Sequence, residues 1–376
     1  MKAALCFMIS YDHKVNKEEL WKKWIEPNND IINVYFHYKD YDKIQSPWIK
    51  EHAIPQQHTT KTSYYHVVQA ILSLLSYATK VDKDNQWFCL LTESCVPIIS
   101  PGKFRQLFFN NYETSIVRCR KAWWNPRFHK RANLRHFSQD FHLGNEPWFI
   151  LNKEDLKMCF HFIETQRPTF DLICKGGLAN ESIFAMIFHF YKKLPQMNSN
   201  ITHLTDWSRM DSATSPHMFK DGDEKDVEFI TEQLDEQPFA MFLRKVSPKF
   251  PDEILMKFIG TLEVVKDNIV IRDVDVDVDD DVDVVDEYLN QTDNDDDEDE
   301  DEEEDEDEDD VEESSGDNDH CLENIDNNYI KNEMDKLTWG MELSFIIHLF
   351  KFLGVMILVM SLFLQNQVVL VSDKIE

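Results

Sequence analysis

Residues 273–319 hold 30 of the chain's 70 acidic side chains and none of its 39 Lys and Arg. Such a run cannot bury enough apolar surface to offset the entropy of ordering, and its like charges repel. The segment 273–335 is therefore expected to be a disordered acidic spacer, and any packed core has to come from what precedes it. The block also explains the formal charge of −31: outside it stand 40 acidic against 39 basic residues, close to neutral. A nucleic-acid binder needs a strong basic face. The densest basic cluster, 118–135, is interleaved with Trp123, Trp124 and Phe128, a mixture that suits sugars and phosphates as well as nucleic acid. No nucleic-acid partner is expected.

The first 250 residues alternate short apolar runs with helix-spaced ones. Strands are expected at 3–9, 31–37, 87–91, 115–118 and 148–151, and helices at 18–25, 64–77, 103–109 and 153–163. In 64–77, Val67, Val68, Ile71, Leu72, Leu74 and Leu75 repeat at helical spacing, whereas 87–91 is one continuous apolar run. This alternation predicts an α/β sandwich with a mostly parallel central sheet over 1–250. A connecting segment, 251–272, would lead into the spacer. The seven cysteines are odd in number, widely spaced and free of CxxC pairs, which argues against a zinc site.

Residues 343–364 are apolar apart from Ser344, His348, Lys351, Gly354 and Ser361. At about 1.5 Å per residue a helix there reaches roughly 33 Å, enough for a bilayer core. It reads as a single-pass C-terminal anchor. The apolar run at the start is too brief for a secretory leader, so the catalytic body is expected in the cytosol.

Few residues outside the tail carry recognisable chemistry. Glu181 follows a Gly176-Gly177 turn and opens an apolar segment, 183–191, where a carboxylate would also serve as a helix cap. The apolar run 87–91 ends in Thr92-Glu93-Ser94, a single carboxylate where many sugar-nucleotide enzymes place a metal-binding DxD. Asp40-Tyr41-Asp42 has the DxD spelling but sits among polar residues and reads as a solvated loop. No metal site is expected. Arg244-Lys245 ends the apolar run 239–243, placing two cations near a strand end, where they could neutralise a diphosphate.

Taken in order, Val34-Tyr35-Phe36-His37, residues 59–70, and Leu90-Leu91-Thr92-Glu93-Ser94-Cys95-Val96-Pro97-Ile98 resemble a known family. The resemblance continues through Gly144 and Trp148-Phe149-Ile150-Leu151, Asn180-Glu181, Asp206-Trp207-Ser208 and Phe242-Leu243-Arg244-Lys245. The family is that of the core-2/I-branching β-1,6-N-acetylglucosaminyltransferases, with relatives among the peptide xylosyltransferases. The likeness spans about residues 1–250. It implies a GT-A-type fold and a metal-independent, inverting transfer with no cofactor beyond the UDP-sugar donor. It further implies Glu181 as general base, Lys245 and Arg244 on the donor diphosphate, and His37 and Glu93 near the donor. Trp207 and Trp148 would contact the acceptor.

The sequence departs from the family at three places. Asn180 stands where an Asp is usual, the 144–148 stretch is one residue longer, and a phosphate-contacting arginine has no counterpart, His217 falling near its place. Asn180-Glu181-Ser182 also spells a glycosylation sequon, which counts against a lumenal location if the base is to stay open. The composition suits an AT-rich genome of the kind some viruses carry, in which case the membrane is the host's.

The expected function is thus a membrane-anchored transferase moving N-acetylglucosamine or a similar sugar from UDP to a hydroxyl of a glycan or glycoprotein. The alternative is a non-catalytic, membrane-tethered glycan-binding or interaction protein with an acidic, partner-recruiting tail.

Overall fold

The computed structural model describes residues 1–212 and 214–264. The spacer 273–335, the apolar stretch 343–364 and residues 265–272 of the connecting segment lie outside the described residues. Among those described, no helix is long and apolar enough to cross a membrane.

The apolar run at the start forms β1 (Lys2–Met8), whose interior residues are all buried. Helix α1 (Glu18–Ile25) follows and leads to β2 (Ile32–His37). The short α2 (Pro47–His52) starts at Ser46, whose hydroxyl accepts from the Ile49 amide, with Pro47 in the first turn. Helix α3 (Val68–Val81) then precedes β3 (Asn85–Thr92). β1 lies between β2 and β3, parallel to both. Runs buried on both faces are what a covered parallel sheet requires. Helix α1 covers it with Trp21 and Trp24, and their indole N–H groups donate to the carbonyls of Cys95 (3.0 Å) and Ile99 (2.7 Å). Those two bonds tie the helix to the chain leaving β3.

Beyond β3 come β4 (Val96–Pro97), α4 (Pro101–Asn111), β5 (Cys119–Lys121), β6 (Leu143–Asn145) and β7 (Ile150–Asn152). Helices α5 (Lys153–Thr165), α6 (Arg167–Cys174) and α7 (Ile183–Phe190) precede β8 (His203–Thr205). Helix α8 (Glu224–Glu236), β9 (Phe242–Arg244) and α9 (Asp252–Ile259) complete the described chain. The main sheet runs β2-β1-β3-β7, with β7 antiparallel to β3, and a second sheet runs β4-β9-β8. β5 and β6 form a separate ribbon. The fold is mixed α/β with a mostly parallel central sheet, as the alternation predicts, and it fits a GT-A-like arrangement.

Several expected boundaries move. The helix expected at 64–77 starts at Val68, because residues 59–66 form a loop in which Ser63 and His66 exchange backbone hydrogen bonds. The strand expected at 115–118 is displaced to β5, and Ile116 forms two isolated bridges, to Ile150 and to Asn198. The bound at 250 falls just before α9, whose Leu255 and Ile259 are buried.

Register places Met8 opposite both His37 and Thr92, so three parallel strands end at one edge. The chain leaves β1 to β2 on one side and reaches β3 on the other. A crevice outside the carboxyl ends at such a switch is where α/β sheets bind ligands.

Candidate active site

Glu181 closes a tight 3-10 turn, Ala179–Glu181, entered through Leu178 at φ 54. Ser182 separates it from α7, which starts with no side-chain cap. The carboxylate is thus not the helix cap its sequence position allowed. Its Oε2 accepts from the Arg131 guanidinium at 3.3 Å, and the side chain is 19 % exposed. Burial pushes the Glu181 carboxyl above its ordinary range, Arg131 pulls it back, and Glu146 adds to the rise. A carboxylate whose pKa burial raises is a candidate for proton transfer.

Arg131 is held in place by close packing of two turns. Ala132 and Asn133 take left-handed conformations, and the Ala132 amide donates to the Gly177 carbonyl at 3.0 Å. A Cβ on Gly176 would lie 2.3 Å from the Asn133 nitrogen, so only glycine lets the turns approach this closely. On the other side, the Asn145 amide donates to the Asn180 carbonyl at 2.9 Å and its oxygen accepts from the Ala185 amide at 3.2 Å. Asn180 itself is only 9 % exposed. The sequon is therefore closed to a glycan in the folded chain, and it carries no argument about compartment.

A second cluster gathers around the end of β9. The Arg244 guanidinium lies 4.2 Å from the centroid of Trp148. It is largely buried, and its Nε is a buried donor with no partner. Among the described residues no carboxylate lies within ion-pair distance of it. Burial pulls the Arg244 pKa down, while Cys95 and Glu93 act the other way. The neighbouring Lys245 donates to the Ser215 hydroxyl, at 2.9 Å, the one hydrogen-bond partner of its side chain among the described residues. Its pKa is lowered by burial and then by Arg244. Glu93 approaches through the turn after β3, which is pinned to this strand end: the Val246 amide donates to the Ser94 carbonyl and the Asn16 amide to the Glu93 carbonyl.

The expected site residues thus do not all meet. Glu93, Trp148, Arg244 and Lys245 converge. Trp148 presents a ring to Arg244, where the resemblance implied an acceptor contact. The loop 59–66 links this cluster to Glu181: the Leu178 amide donates to the Tyr65 carbonyl, and Tyr64 is in electrostatic reach of Arg244. A cavity lined by Lys61, Tyr65, His66, Val68, Gln69, Cys174 and Ala179 opens beside that loop.

His37 ends β2 but is 1 % exposed, and its Nε2 accepts from the Thr60 amide at 3.1 Å. Burial and then Lys39 bring its pKa to about 4, so the ring is neutral and braces the loop. Trp207 is 50 % exposed. It is presented by a turn in which the Asp206 carboxylate accepts from the Ser208 amide and hydroxyl and from Arg209 Nε. Arg209 and His217 both meet Asp226, at 3.0 and 2.9 Å, so neither stands free to replace the missing family arginine. Asp40 pairs with Lys43 and accepts from the Asp42 amide within its own loop. Among the described residues no group of three or more His, Cys, Asp or Glu could hold a metal ion.

Arg131 and Asn145 were not singled out from the sequence, since their roles appear only when distant turns meet. A model of the Core-2/I-Branching enzyme family matches residues 5–233, well over half of the chain. The match takes in His37, Glu93, Trp148, Glu181 and Trp207 and stops short of Arg244 and Lys245. No curated protein matches the chain.

Proposed function

The chain belongs to the Core-2/I-branching enzyme family, a glycosyltransferase family, and from that premise we propose that it moves N-acetylglucosamine or a similar sugar from UDP to a glycan hydroxyl. The observation that carries the donor assignment is Arg244, a largely buried guanidinium with an unpartnered Nε and no carboxylate at ion-pair distance among the described residues. Burying a cation without a counter-charge is costly. A diphosphate would supply that counter-charge, with Lys245 on a second oxygen.

The reaction is a single inverting displacement. Glu181 takes the proton of the acceptor hydroxyl as its oxygen bonds to the anomeric carbon. The bond from that carbon to the diphosphate oxygen breaks, and its electron pair leaves with UDP. Arg244 and Lys245 offset the charge that develops there, as oriented cations in a water-poor site do. The raised pKa of Glu181 suits it to the proton. Trp207 offers a face to the acceptor. We infer that no metal is required, two cations taking its place, and that residues 343–364 attach the protein to a membrane.

The test is turnover by the full chain on a panel of UDP-sugars with mixed glycan acceptors, followed as UDP release. Release that depends on one donor and on Glu181 supports the reading. No release with any donor opposes it.

A further inference from the structure

From Thr114 to Gln139 the chain has no Asp or Glu but seven cations: Arg118, Arg120, Lys121, Arg127, Lys130, Arg131 and Arg135. Two of them have carboxylate partners from elsewhere, Arg120 with Glu146 at 3.1 Å and Arg131 with Glu181 at 3.3 Å. Among the described residues, Arg118, Lys121, Arg127 and Lys130 have no carboxylate at ion-pair distance, and all four are exposed. The segment therefore carries a positive excess immediately beside the base.

The same segment holds Trp123, 43 % exposed. Its ring is fixed by Trp124, edge-on at 4.7 Å, and by the Arg120 guanidinium at 4.4 Å. Arg120 is the cross-strand partner of Gly144 on the β5–β6 ribbon. A Cβ on Gly144 would lie 2.6 Å from the Trp123 ring and 3.3 Å from the Glu181 carbonyl oxygen. The indole is thus one residue's breadth from the turn that carries the base, and a side chain at 144 would displace it.

We propose that this face is the acceptor subsite and that the acceptor is an anionic glycan. One sugar lays its apolar face on Trp123, and carboxylate, sulfate or phosphate groups on it or its neighbour meet Arg118, Arg120, Arg127 and Lys130. An amphipathic ring suits the aromatic platform, and charge-assisted bonds from guanidinium to oxyanion select the charged acceptor. Basic residues beside exposed aromatics also suit single-stranded nucleic acid. The glycan is favoured because the platform adjoins Glu181, whose proposed chemistry needs a sugar hydroxyl. To that extent the inference rests on the transferase reading.

The test titrates the full chain at low salt with a chondroitin sulfate tetrasaccharide, a hyaluronan tetrasaccharide, neutral chitotetraose and a ten-residue oligothymidylate. At least one anionic tetrasaccharide should bind tenfold or more tighter than chitotetraose, and comparison of the two anionic probes separates sulfate from carboxylate. Exchanging the exposed pair Arg118→Gln and Arg127→Gln should erase that preference, and Trp123→Ala should weaken every tetrasaccharide. Equal binding of charged and neutral probes overturns the proposal. So does a preference untouched by the paired exchange, or oligothymidylate binding tighter than both anionic glycans. UDP titrated into the same protein keeps the two readings apart. Charge-blind glycan binding with normal UDP affinity sinks this inference alone, whereas charge-selective glycan binding without UDP affinity sinks the donor assignment alone.

Discussion

The Arg131 guanidinium donates to the Glu181 carboxylate across 3.3 Å, although 50 residues separate the two in sequence. The contact bears on the charge state of the Glu181 carboxyl, the proposed base. Burial favours the neutral acid, and Arg131 holds the ionised form that can accept a proton.

Removing that carboxylate should abolish transfer and little else. Glu181→Gln preserves size and can still accept from Arg131, so the fold and UDP affinity should be retained. The rate should fall by about two to four orders of magnitude, the usual contribution of a general base. Single-turnover rates compared with UDP affinity in the same preparation give the answer. A folded variant that still transfers would remove Glu181 from the mechanism.

Removing Arg131 should move the pH profile in a defined direction. The base works when deprotonated, so kcat/KM falls as pH drops through its pKa. Burial has already raised that pKa, and Arg131 opposes the rise. In Arg131→Met the opposing charge is gone, and the acidic limb should shift to higher pH. A merely structural role for Arg131 would lower activity at every pH with no shift of the limb.

The close approach of the turns around Arg131 should be visible in stability. Gly176→Ala places a methyl 2.3 Å from the Asn133 nitrogen, backbone that cannot yield easily. A cost of about 1–3 kcal/mol is expected, typical of overpacking, read as a lowered Tm. Gly102 in α4 is the control, since its nearest neighbour to an added Cβ is 3.8 Å away. Gly102→Ala should be neutral or stabilising by about 0.5–1 kcal/mol, the helical preference of Ala over Gly.

Chelation separates the cationic site from a metal site. Transfer should survive excess EDTA, with Arg244 and Lys245 carrying the leaving-group charge. Loss of turnover that manganese restores would redirect attention to Glu93 and to the Asp40–Asp42 loop.

The parts of the fold that sequence made legible are those decided by local burial. β1, β2 and β3 follow continuous apolar runs, and α1 matches its expected bounds because Leu20, Trp21 and Trp24 recur on one face. β5 was displaced because three residues, two of them exposed, carry no pattern of their own; pairing with β6 decides their position. The site followed the same rule. Glu181 and Lys245 were named through the resemblance, and the reading of Glu181 as a helix cap fell to the left-handed Leu178 and the intervening Ser182. The resemblance placed Trp148 toward the acceptor, and its contact with Arg244 depends on the bend before β7 meeting the end of β9, 96 residues on. The order of residues put Lys245 and Arg244 side by side on equal terms, whereas burial makes Arg244 the cation with the greater need of an anion.

The central claim is that the end of β9 binds a diphosphate, and a UDP titration of the full chain tests it most directly. Wild type should bind UDP saturably. Lys245→Ala should weaken binding by about ten- to a hundredfold, the range of a lost charge-assisted bond of roughly 1.5–3 kcal/mol. Arg244→Met should do at least as much while keeping the stacking volume beside Trp148. Saturable binding with losses of that size is the predicted result. Absence of saturable binding, or two variants within twofold of wild type, would contradict the account.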